Sequence, residues 1–282
     1  MPGTGDGGLI EGFITAKTVP VFRRFFVRHA VRMIRRRFHA GRILKGDAEA
    51  LRTMDLAEAP TILLLSHPSW WDPLVGLVIW HLYLPSRDVL FPMDATQLAR
   101  FPFFRRVGSF GIDPDDPASL DSMRRYVLDH FDRSEARPLL GLTPQGRFTD
   151  PREPIRLRPG AAAIAAGSST PPKVVAVAAE YPFWQDQRPE LLLAATACDP
   201  PSPGADGRIS TADWQRAMTQ AMQDAASRLS EAAIRREPAS FEAIDPRLAG
   251  EARINPFMDA WLRLRGRSGG IDARRENPET TS

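Results

Sequence analysis

Thr61, Ile62, Leu63, Leu64, Leu65 and Ser66 form an apolar run closed by Pro60 on one side and Pro68 on the other. So short an aliphatic run between prolines predicts a strand covered on both faces. A strand of that kind needs helices above and below it, and the chain must supply them in alternation with further strands. The pattern is present. Apolar runs at 88–93, 109–112, 138–143, 174–179 and 190–196 predict strands, and stretches at 73–84, 120–131 and 160–166 predict helices. Residues 47–60 read as a connector with a first strand, and 97–107, interrupted by Pro102, as a partly helical loop. After a Pro/Gly-rich stretch at 200–207, Ser210 or Thr211 caps a long helix running to Arg236, with Trp214, Met218, Met222 and Leu229 on its apolar side. Asn255 and Pro256 open a last short helix. The expected fold is a single α/β domain, a mixed sheet flanked by helices on both faces.

Charge is spread unevenly. Residues 12–46 hold ten lysines and arginines and no acidic residue, leaving 27 basic against 34 acidic residues elsewhere. The overall excess of +3 is therefore local. It points to an anionic surface met by one segment, and no nucleic-acid motif accompanies it. On a helix over 21–38, Phe22, Phe25, Phe26, His29, Ala30 and Met33 share one face, and Arg24, Arg28, Arg32 and Arg35 the other. Two fates fit such a helix. It can lie in a membrane interface with its arginines on lipid phosphates, or pack on its own domain with a solvated basic face.

The expected organisation is a disordered start and basic amphipathic arm over 1–50, with 17–45 meeting membrane lipids. A core over 51–200 follows, then a linker and C-terminal helices over 201–265 and a polar, disordered tail over 266–282. No segment has the roughly 18 apolar residues of a membrane span, and residues 1–8 lack a signal-peptide pattern. The single cysteine, Cys198, allows neither an internal disulfide nor a multi-cysteine metal site. These readings predict a peripheral protein on the cytoplasmic face of a membrane, with no metal and no resident cofactor.

The chemistry concentrates where the 61–66 run ends. His67 stands at the strand's C-terminal end, where open α/β sheets bind ligands. Asp72 precedes Pro73, an N-cap followed by the first helical position. Histidine is the default general base near neutrality, and a carboxylate on its far nitrogen fixes the tautomer and stabilises the imidazolium. No G-x-S-x-G nucleophile motif occurs, so the simplest use of the pair is to activate a hydroxyl of the substrate. The spacing alone arises by chance about 0.3 times in a chain like this, and its plainer reading is a histidine in a turn that caps a helix. Trp70 and Trp71 either wall a substrate channel or pack as core.

Further along, the residues resemble a family. Ser66-His67-Pro68-Ser69-Trp70-Trp71-Asp72 is similar to the N-H-x4-D motif of the glycerolipid acyltransferases, the 1-acylglycerol-3-phosphate acyltransferases and their relatives. Thr143-Pro144-Gln145-Gly146-Arg147-Phe148-Thr149 resembles their F-P-E-G-T-R-S block. Residues 174–181 resemble their apolar strand with proline, and 108–114 loosely their intermediate block. The blocks stand in family order within 55–200. The resemblance implies acyl transfer from acyl-CoA or acyl carrier protein to a lipid hydroxyl, with His67 as base and Asp72 orienting it. Gln145, Gly146 and Arg147 would then contact substrate together with Trp70 and Trp71. The backbone after Pro144 is a place to look for oxyanion donors, and Arg147 for a phosphate contact. Departures from the family pattern bear on the acceptor. Gln145 replaces a glutamate, Pro114 an arginine, and Met93-Asp94 stand where a lysine is common. The departures imply that the acceptor includes neutral or glycosylated lipid alcohols as well as lysophosphatidate-like ones.

Overall fold

The computed structural model describes residues 13–132, 137–184, 186–249 and 264–266. Helix α1 (Pro20–Arg37) leads into strand β1 (Gly41–Leu44), then α2 (Asp47–Leu56) and β2 (Thr61–Leu65). α3 (Asp72–Tyr83), β3 (Asp88–Asp94), α4 (Ala95–Arg100), a 3-10 turn at Pro102–Val107 and β4 (Ser109–Ile112) follow. α5 (Pro117–Phe131), β5 (Pro138–Leu142), α6 (Gly160–Gly167), β6 (Lys173–Glu180), β7 (Leu191–Cys198), α7 (Thr211–Arg235) and β8 (Phe241–Ala243) complete the described elements. The helix expected from Asn255 and the terminal stretches 1–12 and 267–282 lie outside the described residues.

The strands form one mixed sheet in the order β4-β3-β5-β2-β6-β7-β1-β8. β2 runs parallel to both neighbours, with Leu63 opposite Gly141 of β5 and Val175 of β6. All five of its residues are buried, as the aliphatic run predicts. Its side chains alternate between two cores. Leu63 and Leu65 join α1, α2 and α3 on one face. Ile62 and Leu64 join α5, α6 and α7 on the other.

Two departures from the sequence reading concern the N-terminal third. The segment 47–60 holds no strand. Ala48, Leu51 and Met54 recur at helical spacing and all bury as α2. The first strand lies upstream as β1, paired parallel with β7 and antiparallel with β8. Arg87 ties α2 down. Its buried guanidinium donates to the carbonyls of Met54, Ala57 and Ala59, at and beyond the end of that helix.

The basic helix exists, but not as a free arm. α1 buries Val27, Ala30, Val31 and Ile34 and packs on α3 and the 3-10 turn. The inward face is rotated from the aromatic-rich face of the sequence reading, because the aliphatic residues allow close approach to α3. Phe25 is left 67% exposed, while Phe26 packs on Phe103 and Phe104 at 6.0 and 5.7 Å. Lifting α1 away would expose three large aliphatic side chains, each worth about 1.5–3 kcal/mol. Arg24, Arg28 and Arg32 face outward.

Two buried acids set an alkaline limit on the stability of the fold. The Tyr83 hydroxyl donates to Ile244 O at 3.3 Å, and burial pushes the phenol up to about 12 from 10.0. Burial likewise pushes the Cys198 thiol up to about 11 from 9.0. Both folded values are raised, so the stability they contribute is whole below the unfolded values and is lost as pH rises through the folded ones. The urea midpoint should therefore fall between pH 9 and 12, and Tyr83→Phe should flatten the part of that fall above pH 10. A variant that tracks the parent through pH 12 would dissociate Tyr83 from the effect.

Candidate active site

Parallel pairing brings the C-terminal ends of β2, β5 and β6 to one edge of the sheet. The connection leaving β5 crosses β2 to reach β6, so the crevice lies above the end of β2, where α/β sheets bind ligands. His67, the loop 143–149 and Tyr181 are each the continuation of one of these strands.

The main chain holds His67 from both sides. Its N–H donates to Oε1 of Gln145 at 2.7 Å, and its carbonyl accepts from Thr149 N–H at 2.9 Å. Just before it, Ser66 N–H donates to Val177 O, and Ser66 Oγ accepts from Ala179 N–H at 2.9 Å. The amide oxygen of Gln145 thus serves as the acceptor that fixes the His67 backbone.

The imidazole Nδ1 lies 2.8 Å from Oδ2 of Asp72. That carboxylate is fully buried. Oδ2 also accepts from Ser69 N–H at 2.8 Å, and Oδ1 accepts from the hydroxyl of Tyr181. A carboxylate is acceptor-only, so with Asp72 ionised Nδ1 carries a proton, and in the neutral imidazole Nε2 then holds the lone pair. Nε2 has no hydrogen-bond partner among the described residues, and the side chain is 16% exposed. The pair thus presents a base to the crevice. Asp72 is the first residue of α3, with Trp71 at the cap. This shifts the expected N-cap by one position, and the Asp72 side chain reaches back to Ser69 and His67 instead of forward into the helix.

The other predicted residues spread over the rim. Trp71 packs edge-on to Phe38 at 5.1 Å, and Trp70 stacks on Trp71 at 4.6 Å while 58% exposed. Phe148 stands 4.5 Å from the His67 ring. Gly146 adopts φ 68°, with its N–H bound to Thr143 O at 3.1 Å, so that N–H is not an oxyanion donor. A Cβ there would meet Arg158 Nε at 2.7 Å; the close approach that glycine permits is taken by a side chain of the protein itself. The neighbouring N–H groups of Arg147 and Phe148 have no partner among the described residues. Arg147 itself is exposed and pairs with Glu153 at 3.3 Å, away from the His67 imidazole's own contacts.

Three participants have no assigned role in the sequence reading: Tyr181 and Phe148, which lie within the resembling blocks, and Arg158, which lies outside them. Arg158 donates to Pro114 O at 2.7 Å and pairs with Asp115 at 3.2 Å. It brings a guanidinium to the corner formed by Pro114 and Asp115. Glu180, at the end of β6, has its carboxyl raised by burial and then by Asp150. No group of three His, Cys, Asp or Glu that could hold a metal occurs among the described residues, and none of the helices described there is long and apolar enough to cross a membrane.

No protein-family profile matches the chain, and no curated protein matches it.

Proposed function

We propose that the protein is a membrane-associated O-acyltransferase that moves a fatty acyl group from a thioester, acyl-CoA or acyl carrier protein, to a lipid hydroxyl. The observation that carries this reading is the Nδ1–Oδ2 contact of His67 and Asp72 beside an unpartnered Nε2. The hydroxyls closest in sequence do not supply a nucleophile. Ser66 Oγ is turned to Ala179, and Ser69 Oγ accepts from Trp71 N–H at 3.3 Å. A base without an internal nucleophile acts on a hydroxyl that arrives with the substrate.

In that reaction Nε2 takes the acceptor's hydroxyl proton as its oxygen attacks the thioester carbonyl. The tetrahedral oxyanion needs preorganised donors, and the N–H groups of Arg147 and Phe148, on the loop beside His67, are without a partner among the described residues. Collapse expels a thiolate, which leaves readily and takes the proton back from the imidazolium. The products are a lipid ester and a free thiol. Asp72 holds the tautomer and stabilises the imidazolium between the two transfers. Further support is that the blocks resembling the glycerolipid acyltransferases, 66–72, 143–149 and 174–181, meet in space around one histidine. Asp115 already offsets the charge of Arg158, which favours an acceptor with a neutral or glycosylated headgroup over a phosphate-bearing one. Lipid mass spectrometry of cells with and without the protein tests the whole reading: an acylated lipid that depends on it is expected, and identical lipid profiles would refute it.

Membrane contact is assigned to the outward face of α1, within the basic stretch 17–45, on the cytoplasmic leaflet. Val21 and Phe25 stand 76% and 67% exposed beside Arg24, Arg28 and Arg32. Each arginine near an anionic surface contributes about 1 kcal/mol. Arg24, Arg28 and Arg32 changed together to glutamate should weaken sedimentation with phosphatidylglycerol vesicles at low salt by about 100-fold or more. The melting temperature should hold, because none of the three is buried. Unchanged sedimentation would remove α1 from the contact. Removing 1–46 outright is not an equivalent experiment, since it takes out β1 and the α1 part of the core.

A further inference from the structure

Tyr181 lies at the end of β6, and its hydroxyl donates to Oδ1 of Asp72, 109 positions earlier in the chain. That is the carboxylate oxygen left open by His67 and Ser69, which both bind Oδ2. We propose that Tyr181 is a positioning residue for the His67–Asp72 pair, fixing the carboxylate through its second oxygen so that the imidazole is held in one orientation and one tautomer. The proposal rests on the reading of His67 as a base.

A carboxylate held only through Oδ2 can rotate about its Cβ–Cγ bond, and such terminal torsions are broad. Bonds at both oxygens remove that freedom. The tyrosine is itself held in place. Phe38 packs 5.6 Å from its ring and 5.1 Å from Trp71, so the residue that ends α1 supports both sides of the turn carrying Asp72. Burial first, then the charge of Asp72 and the bond to it, keep the phenol well above its ordinary value. The hydroxyl therefore remains a donor at any pH at which His67 could serve as a base. Tyr181 also joins β6 to the start of α3, two elements that do not follow one another in the chain. A hydroxyl that served packing alone could have been met by any carbonyl; here it meets the acid that orients the base.

The test is Tyr181→Phe in the full chain, read in two ways. In acyl-transfer assays kcat should fall about tenfold, the scale of one hydrogen bond, with KM within a factor of about two. The acid limb of the kcat profile should move to higher pH, since a carboxylate with one donor fewer holds the imidazolium more tightly. In NMR without substrate, the His67 ring should titrate at higher pH than in the parent, and its Nδ1 proton should exchange faster. Parent-like kcat, acid limb and titration would overturn the proposal. So would a loss of kcat that matches a loss of folded protein while limb and titration stay put. Should the parent transfer no acyl group while the titration still moves, the positioning role stands and the acyltransferase reading falls.

Discussion

His67→Ala should lower thioester-dependent acylation of membrane lipid by about 10³-fold or more, the range found when a general base is removed. The loss should fall on kcat, because the imidazole acts on the moving proton and carries little of the substrate's binding. Folding should survive. Among the described residues the only side-chain hydrogen bond of His67 is to Asp72, and after truncation Asp72 keeps Ser69 N–H and the Tyr181 hydroxyl as donors. The buried carboxylate is thus not orphaned, and the cost should stay near 1–2 kcal/mol. The backbone bonds to Gln145 and Thr149 do not involve the side chain and persist. Circular dichroism and thermal melting alongside the assay separate a dead site from an unfolded chain. Acylation that continues at the parent rate in a folded variant would end the claim that His67 is the base. Free fatty acid released by the parent from thioester, with no acylated lipid, would make the reaction a hydrolysis with water as the nucleophile. Formation of neither product by the parent would leave a lipid-binding protein that keeps the shell without the chemistry.

The parts of this site that were legible in the sequence are those whose causes are local. β2 was legible because burial on both faces demands an uninterrupted aliphatic run. His67 and Asp72 lie five positions apart across one turn, so their pairing needed only the turn to close. Tyr181 had no such signal. In the linear chain it ends another apolar strand, and only the parallel pairing of β2 with β6 brings it to Asp72. Arg158 is hidden for the same reason, since its approach to Pro114 spans 44 positions, with α5 and β5 between. β1 and β8 escaped because four and three residues are too few to show a period. Arg42, in the middle of β1, reads as surface until its salt bridge to Glu190 at 3.0 Å is seen. α1 was legible as a helix and misread in phase. Aromatic residues dominate a hydrophobicity count, whereas close packing on α3 selects the smaller Val27, Ala30, Val31 and Ile34.

Asp72→Asn should cost about 10²-fold in kcat, less than the loss of the base itself, and the reason lies in Tyr181. An asparagine can place its carbonyl oxygen where Oδ2 stood and accept from both His67 Nδ1–H and Ser69 N–H. Its amide NH₂ then faces the Tyr181 hydroxyl, which can turn its hydrogen away and accept, since a phenol oxygen does both. The tautomer with a lone pair on Nε2 survives. What disappears is the negative charge that stabilises the imidazolium, worth a few kcal/mol for a charge-assisted bond. With phenylalanine at 181 this accommodation is closed. One amide orientation leaves a buried NH₂ without an acceptor, costing about 1–3 kcal/mol. The other sets NH₂ against both Ser69 N–H and His67 Nδ1–H, and relief of the second clash puts the imidazole proton on Nε2, where it blocks base catalysis. The double variant Asp72→Asn with Tyr181→Phe should therefore fall about tenfold or more below the product of the two single effects, approaching 10⁴-fold in all. Simple multiplication of the two losses would mean that the hydroxyl does not adapt to the amide, and that the two residues act on the base independently.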